Sequence, residues 1–212
     1  VRDDGGQPTY TLNYDGLEVI KPSKLGLKAD YGDFTQGMKI VEATEKAVQT
    51  VYDMTRTKRA HVDQKATMLT LKLVNDKGYP LQITFYIANN DVAYRYTLLP
   101  VKDENPRCAV VYGETSSFNF PDETRTFMTP QIQPMSGWQR TKPSYEEEFV
   151  LDARLTDKSK YGVGYTFPCL FRIPNKGNNT WILISETGTS SYPGCRLSEY
   201  EPTKGYHIAY PQ

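Results

Sequence analysis

"MLTLKLVNDKGYPLQITFYIANNDVAYRYTLLP", residues 68–100, decides the fold class. Leu69, Leu71 and Leu73 fall on one side of an alternation whose other side is Thr70 and Lys72. A turn near Asp76–Gly78 leads to Leu81, Ile83, Phe85 and Ile87, interleaved with Gln82, Thr84 and Tyr86. Asn89, Asn90 and Asp91 turn the chain again, and Val92, Tyr94, Tyr96 and Leu98 resume the alternation. Period two with a polar second face is the signature of strands buried on one side. Three such strands on short turns make an antiparallel meander.

The same period extends outward. "PTYTLNYDGLEVIKP", residues 8–22, reads as a hairpin with a type I′-like turn at Asp15–Gly16. "SFNF" (117–120), "TRTFMTP" (124–130), "YTFPCLFRIP" (165–174) and "WILIS" (181–185) read as further short strands, the last two joined by the loop "NKGNN". Pro168 predicts an edge position or a bulge. "SYEEEFVLDARL" (144–155) is the one stretch that reads as a helix, with Tyr145, Phe149 and Ala153 four apart. No internal repeat, linker or low-complexity tract interrupts the chain. The expectation is a single all-β domain over residues 1–212, built as a two-sheet antiparallel β-sandwich.

Composition narrows the function. A chain of 212 residues needs no disulfide or metal to hold its core. Its 25 basic and 25 acidic residues cancel, which argues against a nucleic-acid partner. Mean hydropathy is −0.59, and no apolar run approaches the length of a membrane span. No basic-then-apolar leader stands at Val1, so any export signal lies outside this chain, and that absence does not imply a cytoplasmic protein. Cys108, Cys169 and Cys195 are odd in number and form no C-x-x-C pair, so they read as partly buried thiols. The 16 Tyr, 8 Phe and 2 Trp suit sheets and sugar-facing surfaces.

Nucleophilic chemistry finds little support. The sequence holds no G-x-S-x-G elbow, no H-E-x-x-H and no phosphate-cradling loop. His61 lies in the basic stretch with Lys58 and Arg59, and His207 near the end; both read as surface or strand histidines. Glu146, Glu147 and Glu148 are adjacent, and neighbours in a strand point to opposite faces, so they are no ready pair for glycoside hydrolysis. Arg95 reads as a structural ion-pair partner, and the sequon at Asn178 marks a surface loop. Trp138, after a Pro/Gly loop, is placed either to stack on a sugar ring or to plug a partner surface.

Glu186 is the remaining acid of interest, set where "WILIS" ends and small residues begin. An acid at a strand end is ordinarily solvated. Its functional reading is a carboxylate placed for a metal or a sugar hydroxyl. Calcium takes six to eight oxygen ligands, so the remaining partners of such a site would lie elsewhere.

Three separated stretches then resemble one family. "YTLNYDGLEVIKPSKLGL" (10–27), "NNDVAYRYTL" (89–98) and "WILISETGTSSYPGCRL" (181–197) resemble, in order, the amino-terminal domain of glycoside hydrolase family 97. Asn90 replaces the family's glycine, Thr187 its alanine and Cys195 its methionine; none of these changes the acid. The resemblance implies a galactose mutarotase-like supersandwich that precedes a (β/α)8 catalytic barrel. It implies an exo-acting α-glucosidase or α-galactosidase, exported to the periplasm, acting on oligosaccharides. It also implies that Glu186 joins barrel acids around an active-site calcium. The catalytic carboxylates belong to the barrel, so this chain is expected to be a non-catalytic piece of the enzyme, cut before that barrel. The alternative expectation is a free-standing carbohydrate-binding module. A mutarotase or epimerase ranks below both, because His61 and His207 lack supporting acids.

Overall fold

The computed structural model describes residues 1–58, 60–101, 109–132, 147–188 and 194–210. In chain order the strands begin with β1 (Thr9–Tyr14), β2 (Leu17–Lys24), β3 (Leu27–Ala29) and β4 (Gly32–Asp33). The next are β5 (Lys39–Asp53), β6 (His61–Val74), β7 (Pro80–Ile87) and β8 (Val92–Leu98). Then come β9 (Val111–Glu114), β10 (Ser117–Phe118), β11 (Arg125–Pro130) and β12 (Val150–Arg154). The last are β13 (Tyr165–Asn175), β14 (Asn178–Ile184), β15 (Arg196–Leu197) and β16 (Tyr206–Ala209). The chain is an all-β protein of antiparallel sheets, the class the alternation predicts and in keeping with a β-sandwich. No helix among the described residues is long and apolar enough to cross a membrane. The strands group into two compact units.

One unit joins Thr9–Leu27 to Val111–Gln212. Its β1–β2 hairpin turns at Asp15 and Gly16, both with positive φ (50° and 77°), as a type I′ turn requires. Its main sheet runs β10-β16-β15-β13-β11-β12, with β14 also paired to β13. The centre is β13, whose Cys169, Phe171 and Ile173 are buried on one face. Phe171 stacks on Phe120 at 4.1 Å between ring centres, and Tyr206 packs against Phe171 at 5.7 Å. The bulge expected of Pro168 is present. Pairing of β11 with β13 jumps from Phe127↔Leu170 to Thr129↔Thr166 across it. On the other side, β15 pairs up to Thr166 and β14 from Cys169, so no ladder bond needs a donor at the proline.

The helix expected over 144–155 is not formed in its described part. Val150–Arg154 is strand β12, paired to β11 through Arg125↔Arg154 and Thr126↔Ala153. Residues 144–146 lie outside the described set. The four-residue spacing was a weaker determinant than the open edge of β11.

The other unit joins Arg2–Pro8 to Lys28–Val110 and contains the meander of residues 68–100. Its sheet runs β5-β6-β7-β8. Leu71, Leu73, Leu81, Ile83 and Phe85 are buried, as the alternation predicts, while Ile87 at the strand end is exposed. Asn75 closes the β6–β7 turn: its Oδ1 accepts the N–H groups of Lys77 and Tyr79, and its Nδ2 donates to the Asp33 carbonyl. Gly37 (φ +64°) lies against the Asp76 carboxylate, where a Cβ would meet Oδ2 at 2.2 Å.

Sequence reading missed β5. Its fifteen residues carry Glu and Lys on both sides and are nearly all exposed, so no alternation betrays them. Pairing with β6 makes the strand. The two run together from Lys39↔Val74 to Asp53↔His61, but β7 joins β6 only from Thr67 onward. Residues 48–53 and 61–66 therefore form a ribbon of two strands alone, about 20 Å long. Asp53 binds His61 at its tip, Gln49 donates to Asp63, and Gln64 donates to Asp91.

Two outcomes follow. Phe171→Ala should lower unfolding free energy by about 3–5 kcal/mol, read by urea denaturation, because it opens a fully buried aromatic stack; a loss under 1 kcal/mol would contradict this packing. Trypsin should cut at Arg56 or Lys58, in the exposed loop beyond the ribbon, without loss of the far-ultraviolet β signal.

Candidate functional site

Glu186 follows β14 by two residues, where the ladder with β13 has ended at Cys169↔Ile184. Its side chain turns back onto the chain just before β15. The Cys195 N–H donates to both carboxylate oxygens, at 2.9 Å each. Gly194 (φ +73°) makes this approach possible: a Cβ there would come within 3.2 Å of Glu186 Oε1. Two backbone constraints thus fix the carboxylate, the end of β14 on one side and the start of β15 on the other.

A second acid stands nearby. Burial pushes the Glu114 carboxyl, at the end of β9, above the usual carboxylate range. Ser116 and Tyr210 hydroxyls donate to it and pull the other way, and the Glu186 charge adds to the rise. Arg196 ties the surroundings together, its guanidinium donating to the carbonyls of Val163 (2.9 Å) and Tyr210. Sequence reading passed over Glu114 because "VYGETSS" carries no motif; only the fold brings it near Glu186.

The arrangement fits one corner of a cation site. Among the described residues no group of three His, Cys, Asp or Glu could hold a metal. A hard cation needs six to eight oxygens, and Glu186 supplies two at most.

The other candidates are placed by the structure as follows. His207 Nδ1 lies 2.8 Å from Ser198 Oγ, a pairing with the outward form of a nucleophile and its base. The geometry denies that role. The Ser198 hydroxyl donates to the Glu199 carbonyl at 2.7 Å and accepts the His207 N–H at 3.0 Å, and the serine is buried. Its proton is committed, so the imidazole acts as donor and strand clasp. His61 is a ribbon-tip residue bound to Asp53. Glu147 accepts the Tyr161 hydroxyl and lies 3.5 Å from Lys160, whereas Glu148 is exposed. Arg95, expected to pair structurally, is exposed and has no ion pair among the described residues; β8 places it opposite Thr84, a neutral neighbour. Cys169 is a buried thiol pushed up by burial, and Cys195 is a half-buried thiol beside the site. Asn178 is exposed at the start of β14, on a tight turn. Arg59, Cys108, Trp138 and Glu146 lie outside the described residues.

With this geometry in hand, comparison with known proteins is specific. The family described as Glycosyl-hydrolase 97 N-terminal matches residues 1–211. A crystal structure of a beta-arabinopyranosidase superposes with a TM-score of 0.91 at 43% identity, covering 99% of this chain and 33% of that one. A glycoside hydrolase family 97 enzyme from Pseudoalteromonas sp. strain K8, in complex with panose, shares the fold with a TM-score of 0.76 at 19% identity, over 99% of this chain and 29% of that one. A probable retaining alpha-galactosidase from Streptomyces bingchenggensis (strain BCW-1) is 24% identical over 123 residues, 58% of this chain and 18% of its own length. The chain therefore spans a third or less of each of these relatives.

The His207 clasp gives a pH dependence. Burial is the main cause that lowers its pKa below 6.5 in the fold. The unfolded chain then binds the proton more readily, so stability contributed by neutral His207 is full above 6.5 and declines as pH falls below it. His207→Gln should flatten this part of the stability profile between pH 7 and 5, measured by denaturant midpoints; an unchanged slope would show that His207 is not responsible.

Proposed function

The chain belongs to the glycosyl-hydrolase 97 N-terminal family, and from that premise we propose that it is the non-catalytic β-sandwich of a calcium-dependent, exo-acting glycosidase. In this reading it packs on the catalytic barrel of the same polypeptide, in the periplasm. Glu186 is one ligand of a calcium ion whose other ligands come from the barrel. The observation that carries the reading is the carboxylate clamp: Glu186 is held by two hydrogen bonds from one backbone amide, and among the described residues no group of three His, Cys, Asp or Glu is assembled around it. When bound, calcium would supply a divalent charge that draws sugar oxygens. The chain's own part is to present one preset carboxylate.

The relatives' names guide the choice of substrate. The most similar of those described is named a beta-arabinopyranosidase, and a more distant one an alpha-galactosidase. In the L-series, β-arabinopyranose has the ring of α-galactopyranose without its hydroxymethyl group. A galacto-configured, α-linked terminal sugar is therefore favoured over a gluco-configured one for the parent enzyme.

In the parent enzyme, Glu186→Gln should weaken calcium affinity at least about tenfold, the lower end of what even an indirect ligand partner costs. The sandwich itself should keep its melting temperature. Full activity after thorough chelation would defeat the calcium role. The 212-residue chain alone should bind calcium no better than millimolar, and a micromolar site by calorimetry would contradict a shared site. Faster release of nitrophenol from the α-glucopyranoside than from the β-L-arabinopyranoside would overturn the substrate assignment.

A further inference from the structure

One face of the seven-stranded sheet carries an arrangement that Glu186 chemistry does not use. Trp181 stands opposite Arg172, Arg172 opposite Arg125, and Arg125 opposite Arg154. Directly opposed residues of antiparallel strands project from the same face. The four side chains thus form one row across β14, β13, β11 and β12, about 14 Å long. The row lies on the face opposite the buried Cys169, Phe171 and Ile173.

The row is built rather than scattered. Trp181 is half exposed, and its ring meets Phe127 at 5.3 Å. The Arg172 guanidinium lies 5.8 Å from the centre of the same Phe127 ring. The indole is thereby held in place while leaving a large apolar surface open. Beside it, Arg172 pairs with Asp152, and Arg154 makes a two-pronged bond to Asp157. Arg125, between the two, has no ion pair among the described residues. Three guanidinium groups therefore face two carboxylates, and the central one, Arg125, makes no close pair but feels at longer range the Asp157 charge that Arg154 holds.

We propose that this row is a surface site for an acidic oligosaccharide, a sugar chain carrying carboxylate or sulfate groups. An exposed indole accepts the C–H face of a pyranose ring. A guanidinium fork matches a carboxylate or sulfate with two parallel hydrogen bonds. Both flanking ion pairs are partly exposed, so they are weak enough to exchange partners with an incoming anion. A neutral sugar would satisfy the indole alone and leave Arg125 without a close anion. An extended glycan would follow the row across the strands.

Tryptophan fluorescence tests this directly. The chain has two tryptophans, so Trp138→Phe leaves Trp181 as the reporter. Titrated with trigalacturonate at low salt, this protein should show saturable quenching, at least tenfold tighter than with maltotriose. Binding should weaken as salt rises. Arg125→Gln, which breaks no ion pair, should weaken binding at least fivefold with an unchanged melting temperature, and Glu186→Gln should leave it intact. The proposal fails if trigalacturonate gives no quenching, if maltotriose binds equally well, if Arg125→Gln is silent, or if Glu186→Gln abolishes binding. Loss of the site in the longer parent enzyme would reassign the row to a contact within that protein and overturn it too.

Discussion

The stack of Phe171 on Phe120 holds the larger unit together. It fixes the buried face of β13, and β13 is the strand to which β11, β14 and β15 are all hydrogen-bonded. Once that face is set, the strict alternation of a strand assigns everything on the other. Phe171 inward means Leu170 and Arg172 outward, and the opposing residues Leu183, Trp181 and Arg125 go with them. The same strand sets where β14 ends, and so where Glu186 emerges. Core packing and surface chemistry are two sides of one register.

How much of this was legible in the sequence depended on distance along the chain. The β1–β2 hairpin was readable because its turn residues, Asp15 and Gly16, must adopt positive φ and sit next to the strands they join. The meander was readable because buried leucine, isoleucine and phenylalanine alternate with mostly polar residues along its strands. β5 was not, since a strand exposed on both faces has no hydrophobic period to display. β12 was misread because its partner β11 lies more than twenty residues earlier, beyond any local signal.

The candidate site divided along the same line. Glu186 drew notice from its address at a strand end, and the stretch around it carried the family resemblance. Its clamp could not be read, because the partner is a backbone amide nine residues on, and amides carry no sequence identity. Glu114 and the arginine row exist only through pairing between distant strands. His207 shows the opposite hazard: a serine and histidine in contact look reactive until the hydroxyl proton is followed to the Glu199 carbonyl.

The ribbon of residues 48–53 and 61–66 has an evolutionary consequence. None of its residues is buried, and its strands can grow or shrink by whole pairs without disturbing the register nearer the sheet. Extra residues in the loop at its tip would cost little more than the entropy of closing a longer loop. The segment is thus a tolerant appendage, free to vary in length and decoration while the meander below it stays constant. Diversity among related proteins can accumulate there without asking anything of the carboxylate at Glu186.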